Sequence, residues 1–136
     1  MSNKLLLVED NNGVREVLSL LFAAHGYSVT ECEDGKTAVT AAMNQCFDIA
    51  IIDVGLPDIS GYKVASQIRK LAPMNRSDTI LVALTARSNQ PTRRDALAAG
   101  FDIHFAKPAQ VSAICEEIEN TRSRRAALVP ERKKVA

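Results

Sequence analysis

Five short apolar runs alternate with five longer stretches in which apolar residues recur every three or four positions. The short runs end at acidic or turn-forming residues, as strands do, and the longer stretches have the spacing of one helix face. The pattern predicts strands over residues 4–8, 28–32, 48–52, 79–84 and 103–106, and helices with apolar stripes over 14–22, 38–43, 62–71, 96–99 and 111–118.

Glycine and proline mark several of the predicted helix ends. Gly26 lies where the first helix would take a C-cap, and Pro73 would close the third helix. Pro91 suits the first turn of the fourth helix, which would end at Gly100. These residues support the predicted ends of the first, third and fourth helices.

The regular alternation of strand and helix predicts a parallel sheet with helices on both faces. Right-handed crossovers leave few topologies, and the flavodoxin-like strand order 2-1-3-4-5 is favoured at this length. We therefore expect an α/β fold, a single doubly wound (βα)5 domain with a five-stranded parallel sheet over residues 1–120. A basic C-terminal tail over residues 121–136 would either extend the last helix or be disordered.

Composition limits the classes of protein that this chain could be. With 46% hydrophobic and 24% charged residues, its 136 residues suffice for one buried core. Aromatic residues are only 4%, with no Trp, so few side chains could stack on nucleic-acid bases. The net charge of +1 is uneven, because six basic residues and one acid follow residue 120. The predicted domain is therefore mildly acidic.

Export and membrane insertion have no signal in the sequence. Charges or turn residues interrupt every apolar stretch that could span a bilayer, and the N-terminus lacks the features of a signal peptide. Cys32, Cys46 and Cys115 are scattered without metal-binding spacing, which favours reduced thiols. We expect a cytoplasmic protein.

Chemically capable residues follow four of the five predicted strands. Glu9-Asp10 follows the first strand, Asp53 the third, Thr85-Ala86 the fourth and Lys107-Pro108 the fifth. In the expected strand order the first and third strands are neighbours, so the three acids would converge at the edge where α/β proteins bind ligands. Each residue taken alone has a simpler interpretation, such as a helix cap for Asp53 or a solvated surface side chain for Lys107.

Three carboxylates in one cleft repel one another unless a cation is present, and hard oxygen ligands suit Mg²⁺. Such an ion could also hold an incoming phosphoryl group, with Asp53 as the nucleophile. Lys107 could then place a positive charge on a phosphoryl oxygen, and Thr85 could donate a hydrogen bond to another. The small side chain of Ala86 would leave room for the entering group.

This ordered set resembles the receiver domain of two-component response regulators. The likeness covers roughly residues 4 to 120 and is carried by the four strand-end motifs, together with "DVGLPDISGY" and the run from "LVALTA" to "AAGFDIHFAKPA". The resemblance implies that Asp53 is the phosphoacceptor and that Lys107 and Thr85 contact the phosphoryl group. It also implies an Mg²⁺ or Mn²⁺ ion bound by Asp10 directly, by Glu9 through water, by Asp53 and by the backbone carbonyl of Gly55.

The family couples phosphorylation to a conformational switch. The resemblance implies that Thr85 moves toward the phosphoryl group and that a residue of the fifth strand follows it. His104 takes this position, where Tyr or Phe is commoner, and it could equally be an exposed strand residue without a role. The output surface would be the fourth helix, fifth strand and fifth helix, through which such domains also form homodimers.

The resemblance further implies a sensor histidine kinase or histidine phosphotransfer protein as the phosphoryl donor and a downstream protein as the target. The sequence around His104 resembles receivers attached to hybrid histidine kinases more than those of DNA-binding regulators. The tail is too short for a DNA-binding domain, so we expect none, and the chain is either a stand-alone regulator or a module of a larger protein. It would catalyse only its own phosphotransfer and autodephosphorylation, rather than act as an enzyme with turnover.

Two alternatives from other classes stay open on the sequence. A phosphatase of the haloacid-dehalogenase type also uses a nucleophilic Asp with Mg²⁺, but it needs a second Asp where this chain has Gly55. A flavodoxin-like FMN-binding module would have a phosphate loop rich in Ser, Thr and Gly after the first strand, where this chain has Glu9 and Asp10. Asp58 is assigned only to the turn that follows Asp53.

Overall fold

The computed structural model describes residues 3–71, 78–86 and 93–128, so Pro73, Pro91 and most of the basic tail lie outside the described residues. The strands are β1 Lys4–Val8, β2 Ser28–Cys32, β3 Ile49–Asp53, β4 Ile80–Thr85 and β5 Ile103–Ala106. The helices are α1 Asn12–Ala24, α2 Gly35–Asn44, α3 Gly61–Leu71, α4 Arg93–Ala99 and α5 Val111–Leu128.

All strand pairs in the sheet are parallel, and the strand order is β2-β1-β3-β4-β5. The predicted α/β fold and its topology are therefore confirmed. The boundaries differ slightly, because β3 continues to Asp53, which pairs with Leu84 of β4. This extra residue places the carboxylate at the very end of the ladder.

Alternate residues of each central strand point to opposite faces of the sheet, so the protein has two apolar cores. Leu6 and Val8 pack on the face covered by α2, α3 and α4, and Leu5 and Leu7 on the face covered by α1 and α5. Both faces are sealed, which leaves the edge formed by the carboxyl ends of the strands as the place for polar chemistry.

Helix α5 continues to Leu128, well past the apolar stripe that predicted it. The added turns are held by two arginines that bind groups elsewhere in the fold. Arg122 donates to the side chain of Asn3 at 3.2 Å, and Arg125 donates to Asp102 and to the backbone carbonyl of Asp78, both at 2.8 Å. The first part of the basic tail is thus helix. No helix among the described residues has the length and apolar character needed to cross a membrane.

Candidate functional site

Acidic side chains gather where the carboxyl ends of β1 and β3 lie side by side. Glu9 and Asp10 directly follow β1, and Asp53 ends the adjacent strand β3. One carboxylate oxygen from each of the three lies within 4.8 Å of the others. Glu9 is 1% exposed and Asp53 is 5% exposed, whereas Asp10 faces solvent. The structure therefore brings together the three acids that the sequence predicted to converge.

Donors from neighbouring backbone hold the two buried carboxylates in place. Oε2 of Glu9 accepts a hydrogen bond from the N–H of Asn11 at 3.1 Å, and Oδ1 of Asp53 accepts one from the N–H of Gly55 at 3.0 Å. The guanidinium of Arg15 donates to the backbone carbonyl of Glu9 at 2.8 Å. Each carboxylate thus has one oxygen fixed by the backbone and its second oxygen available to another partner.

That partner is the ammonium group of Lys107. Its Nζ lies 2.8 Å from Oε1 of Glu9 and 3.1 Å from Oδ2 of Asp53. The backbone N–H of Lys107 donates to the carbonyl of Thr85 at 2.7 Å, which anchors the end of β5 against β4. The peptide bond to Pro108 is cis. The distances from Nζ to Glu9 and Asp53 place the Lys107 side chain inside the acidic cluster, and the alternative of a solvated surface lysine is not supported.

Among the described residues, three carboxylates meet one ammonium group in this cluster, so negative charge is in excess. Burial raises the pKa of Glu9, and the charge of Asp53 raises it further, although the hydrogen bonds from Lys107 and Asn11 oppose the shift. Burial lowers the pKa of Lys107, but its hydrogen bonds to Glu9 and Asp53 outweigh this, and the pKa is raised. Clustered hard oxygen donors with excess negative charge fit a small divalent cation such as Mg²⁺ or Mn²⁺.

Thr85 is buried at the end of β4, and its side chain is bound to His104. The Thr85 Oγ1 and His104 Nε2 atoms are 3.0 Å apart, and either can donate depending on the imidazole tautomer. His104 itself is exposed on β5. The structure thus couples the two residues that the sequence analysis assigned to a switch.

An open cleft of about 690 Å³ lies beside the acids. Its mouth includes Glu9, Asp10 and Lys107, and exposed Ala86 lines it together with apolar side chains of α1 and α5. A small residue at position 86 leaves this space free, as predicted. A molecule bound in the cleft would therefore sit directly next to the carboxylate cluster.

Sequence reasoning missed the contact made by Asp58. Instead of serving only its own turn, this side chain accepts hydrogen bonds from the backbone N–H groups of Gly35 and Lys36, each at 2.9 Å. The hydrogen bond to the Gly35 N–H is the main reason that the pKa of Asp58 is lowered to about 2. The local sequence carries no signal for a partner 23 residues away.

Comparison with known proteins shows the family. The sequence model of one protein family, the response regulator receiver domain, matches residues 5–119 of this chain. The transcriptional regulatory protein CreB of Escherichia coli (strain K12) is 35% identical over 112 residues, which cover 82% of this chain and 47% of CreB. The chain thus spans about half the length of such curated relatives, so the expected lack of a DNA-binding domain stays a prediction.

Solved structures agree with this relationship. The receiver domain of sensor histidine kinase PA1611 from Pseudomonas aeruginosa PAO1, solved with a magnesium ion in its active site cleft, is 32% identical with a TM-score of 0.77, covering 88% of this chain and 97% of that one. The receiver domain of Ssk1 from Saccharomyces cerevisiae, solved with the histidine phosphotransfer protein Ypd1, is 28% identical with a TM-score of 0.76, covering 86% of each chain. The chain thus belongs to the receiver domains of two-component response regulators, and neither the phosphatase nor the flavin alternative is supported.

Proposed function

We propose that Asp53 accepts a phosphoryl group from a phosphohistidine of a sensor kinase or phosphotransfer protein. A divalent cation, Mg²⁺ or Mn²⁺, would be held by Glu9, Asp10, Asp53 and the backbone carbonyl of Gly55. The observation that carries this proposal is the meeting of three carboxylates and the Lys107 ammonium at one strand edge. The magnesium ion of the PA1611 receiver and the Ypd1 complex of the Ssk1 receiver support the cation and the partner class.

In the transfer, an oxygen of Asp53 forms a bond to phosphorus while the bond from phosphorus to the histidine nitrogen breaks. The nitrogen keeps the electron pair, so the donor imidazole leaves without the phosphoryl group. A divalent cation held by Glu9, Asp10 and Asp53 would supply positive charge to the phosphoryl oxygens. Lys107 is already 3.1 Å from Oδ2 of Asp53 and can pair with a phosphoryl oxygen attached there. The backbone N–H of Gly55 holds Oδ1 and so orients the carboxylate.

The same site would later lose its phosphoryl group to water. Gly55 has no side chain to cover Asp53, and Ala86 next to the cleft is exposed, so water has access to the aspartyl phosphate. The domain would catalyse only these two steps on itself. It would act as a signalling protein whose phosphorylated form is transient.

The hydrogen bond between Thr85 and His104 is the element that a phosphoryl group would disturb. A Thr85 hydroxyl that donates its proton to a phosphoryl oxygen can no longer donate to the imidazole, so in the tautomer where Thr85 is the donor His104 is released. Because His104 lies exposed on β5 between α4 and α5, its release would alter the α4–β5–α5 surface. We propose this surface for binding the downstream protein and for homodimer formation.

Intact-mass measurement after incubation with acetyl phosphate and Mg²⁺ tests the proposed function. The wild-type protein should gain one phosphoryl group, and the gain should disappear with excess EDTA. The Asp53→Asn variant removes the nucleophile but keeps the shape of the side chain, so it should gain nothing. Asp34→Asn serves as a matched control, because it makes the same chemical change at the N-cap of α2, outside the carboxylate cluster, and should still be phosphorylated. Equal labelling of wild type and Asp53→Asn would contradict the proposal.

A further inference from the structure

Helix α2 is capped by carboxylates from two different loops. Asp34, its N-cap, accepts a hydrogen bond from the N–H of Thr37 at 2.8 Å. Asp58 accepts from the N–H groups of Gly35 and Lys36, with one carboxylate oxygen for each. These three N–H groups belong to the first turn, where no helical carbonyl can reach them. The helix end is therefore satisfied partly from its own loop and partly from the β3–α3 loop, residues 54–60.

The β3–α3 loop starts at the nucleophile and carries the backbone that would bind the metal. Gly55, whose carbonyl is the proposed backbone ligand, is exposed and touches Asp53 through its N–H. At the far end, the N–H of Gly61 donates to the carbonyl of Val54 at 2.9 Å. A Cβ atom at position 61 would lie 2.6 Å from Cα of Val54, so only glycine permits this closure. The loop is thus closed at its base, and its middle depends on other contacts.

Those contacts run to α2. A Cβ atom at Gly35 would overlap the side chain of Ile59, which shows that the loop lies directly against the start of α2. Asp58 is exposed, yet both of its oxygens are bound to α2 backbone. Hydrogen bonds to an ionised carboxylate are stronger than neutral ones, and the positive end of a helix dipole adds to them. The two hydrogen bonds of Asp58 therefore link the middle of the loop to α2.

We propose that Asp58 is a positioning residue for the metal site, which holds the Gly55 carbonyl in place by tying the β3–α3 loop to the start of α2. This inference rests on the proposed function, since it assumes that a divalent cation binds at Glu9, Asp10 and Asp53. Removing a group that orients a metal ligand from outside the coordination sphere commonly weakens metal affinity by roughly 10- to 100-fold. Asp58 would act in this way through the backbone, without touching the ion.

Isothermal titration with MgCl₂ of the full chain tests the inference. Asp58→Ala should weaken Mg²⁺ binding by about tenfold or more. Asp58→Asn should lie between wild type and Asp58→Ala, because the amide replaces one of the two accepting oxygens with an NH₂ group, which cannot accept a hydrogen bond. Asp34→Ala is the matched control, since it removes a cap from the same helix without touching the loop. It should lower the melting temperature as Asp58→Ala does and leave the Mg²⁺ affinity unchanged.

The amide NMR signal of Gly55 in the metal-free protein gives a second readout. It should shift in both Asp58 variants and stay in place in Asp34→Ala. Equal Mg²⁺ affinity of wild type and Asp58→Ala would overturn the inference while leaving the proposed function intact. An equal loss in Asp34→Ala would overturn it as well, because helix stability would then explain the effect. If wild type binds no Mg²⁺, the proposed function fails together with this inference. If Asp58→Ala does not fold, the same comparisons apply to Asp58→Asn.

Discussion

The two edges of the sheet treat charge in opposite ways. At the carboxyl edge, which we call the acidic rim, Glu9 and Asp53 share the ammonium group of Lys107, and Asp10 lies beside them. At the opposite edge, which we call the arginine cluster, Arg69 and Arg125 both bind Asp102. Among the described residues, the acidic rim has more carboxylates than bases, whereas in the arginine cluster Asp102 is paired with two bases.

In the arginine cluster, both carboxylate oxygens of Asp102 accept hydrogen bonds. Asp102 accepts from Arg69 at 2.7 Å, from Arg125 at 2.8 Å and from the N–H of Leu81 at 2.9 Å. Arg69 also donates to the carbonyls of Gly100 and Thr79. Because α3 and α5 cover opposite faces of the sheet, Asp102 links both helical layers to the strands. The contacts at this edge stabilise the fold.

The acidic rim, by contrast, contains charge interactions that lower the stability of the metal-free fold. Like charges a few ångströms apart repel, and burial penalises the ionised form of Glu9, as its raised pKa shows. Such strain is common where a protein holds a ligand or does chemistry. The contrast teaches that the same residue types stabilise the fold where acids and bases are paired and strain it where carboxylates cluster, as they do at the proposed cation site. Substitutions at the two edges should therefore change stability in opposite directions.

The largest effect should come from Asp102→Ala. Two arginines and one backbone N–H would lose their acceptor, which should reduce the free energy of unfolding by about 2–4 kcal/mol. Urea denaturation with EDTA present measures this. Glu119→Ala is the control, because its partner Arg122 forms an exposed pair, and it should cost less than about 0.5 kcal/mol. Folded Asp102→Ala should still accept a phosphoryl group. Equal losses in the two variants would mean that the arginine cluster is not a special source of stability.

A smaller effect of opposite sign is expected for Asp10→Asn. Removing one charge from the acidic rim relieves repulsion, so the metal-free protein should gain about 0.5–1 kcal/mol in free energy of unfolding. The same change should abolish the stabilisation that MgCl₂ gives to the wild type. Glu16→Gln removes an exposed acid of α1 that is outside the carboxylate cluster, and it should leave both quantities nearly unchanged. A loss of stability in Asp10→Asn with EDTA present would argue against strain at the rim.

The smallest effect is a pH dependence at Asp58, whose loop lies next to the acidic rim. Its pKa is lowered in the folded protein from 3.8 to about 2, mainly by the hydrogen bond to the Gly35 N–H. A lowered pKa means that the ionised side chain stabilises the fold above pH 3.8 and that this contribution disappears as the pH falls toward about 2. Urea midpoints of wild type and Asp58→Asn should therefore differ at pH 5 and approach each other at pH 2.5. A constant difference across this range would show that the charge of Asp58 contributes nothing.

The local sequence was sufficient to predict most of the fold. Strand and helix periods are properties of neighbouring residues, and five alternations leave the parallel sheet as the natural arrangement. The differences lie in the boundaries, and the helical start of the tail is one of the two outcomes that the sequence left open. Strand β3 extends to Asp53 because this residue pairs with Leu84 of β4. Helix α5 extends beyond its apolar stripe because Arg125 donates a hydrogen bond to Asp102. Both extensions depend on partners from distant parts of the chain.

By itself, the sequence determined the order of strands and helices and the placement of Glu9, Asp53, Thr85 and Lys107 at strand ends, because each follows an apolar run. The tertiary structure alone decided that Lys107 reaches both Glu9 and Asp53, that Thr85 binds His104 and that Asp58 caps α2. The physical reason is that hydrogen bonds and ion pairs act over about 3 Å. Only folding brings residues that are far apart in sequence to that distance.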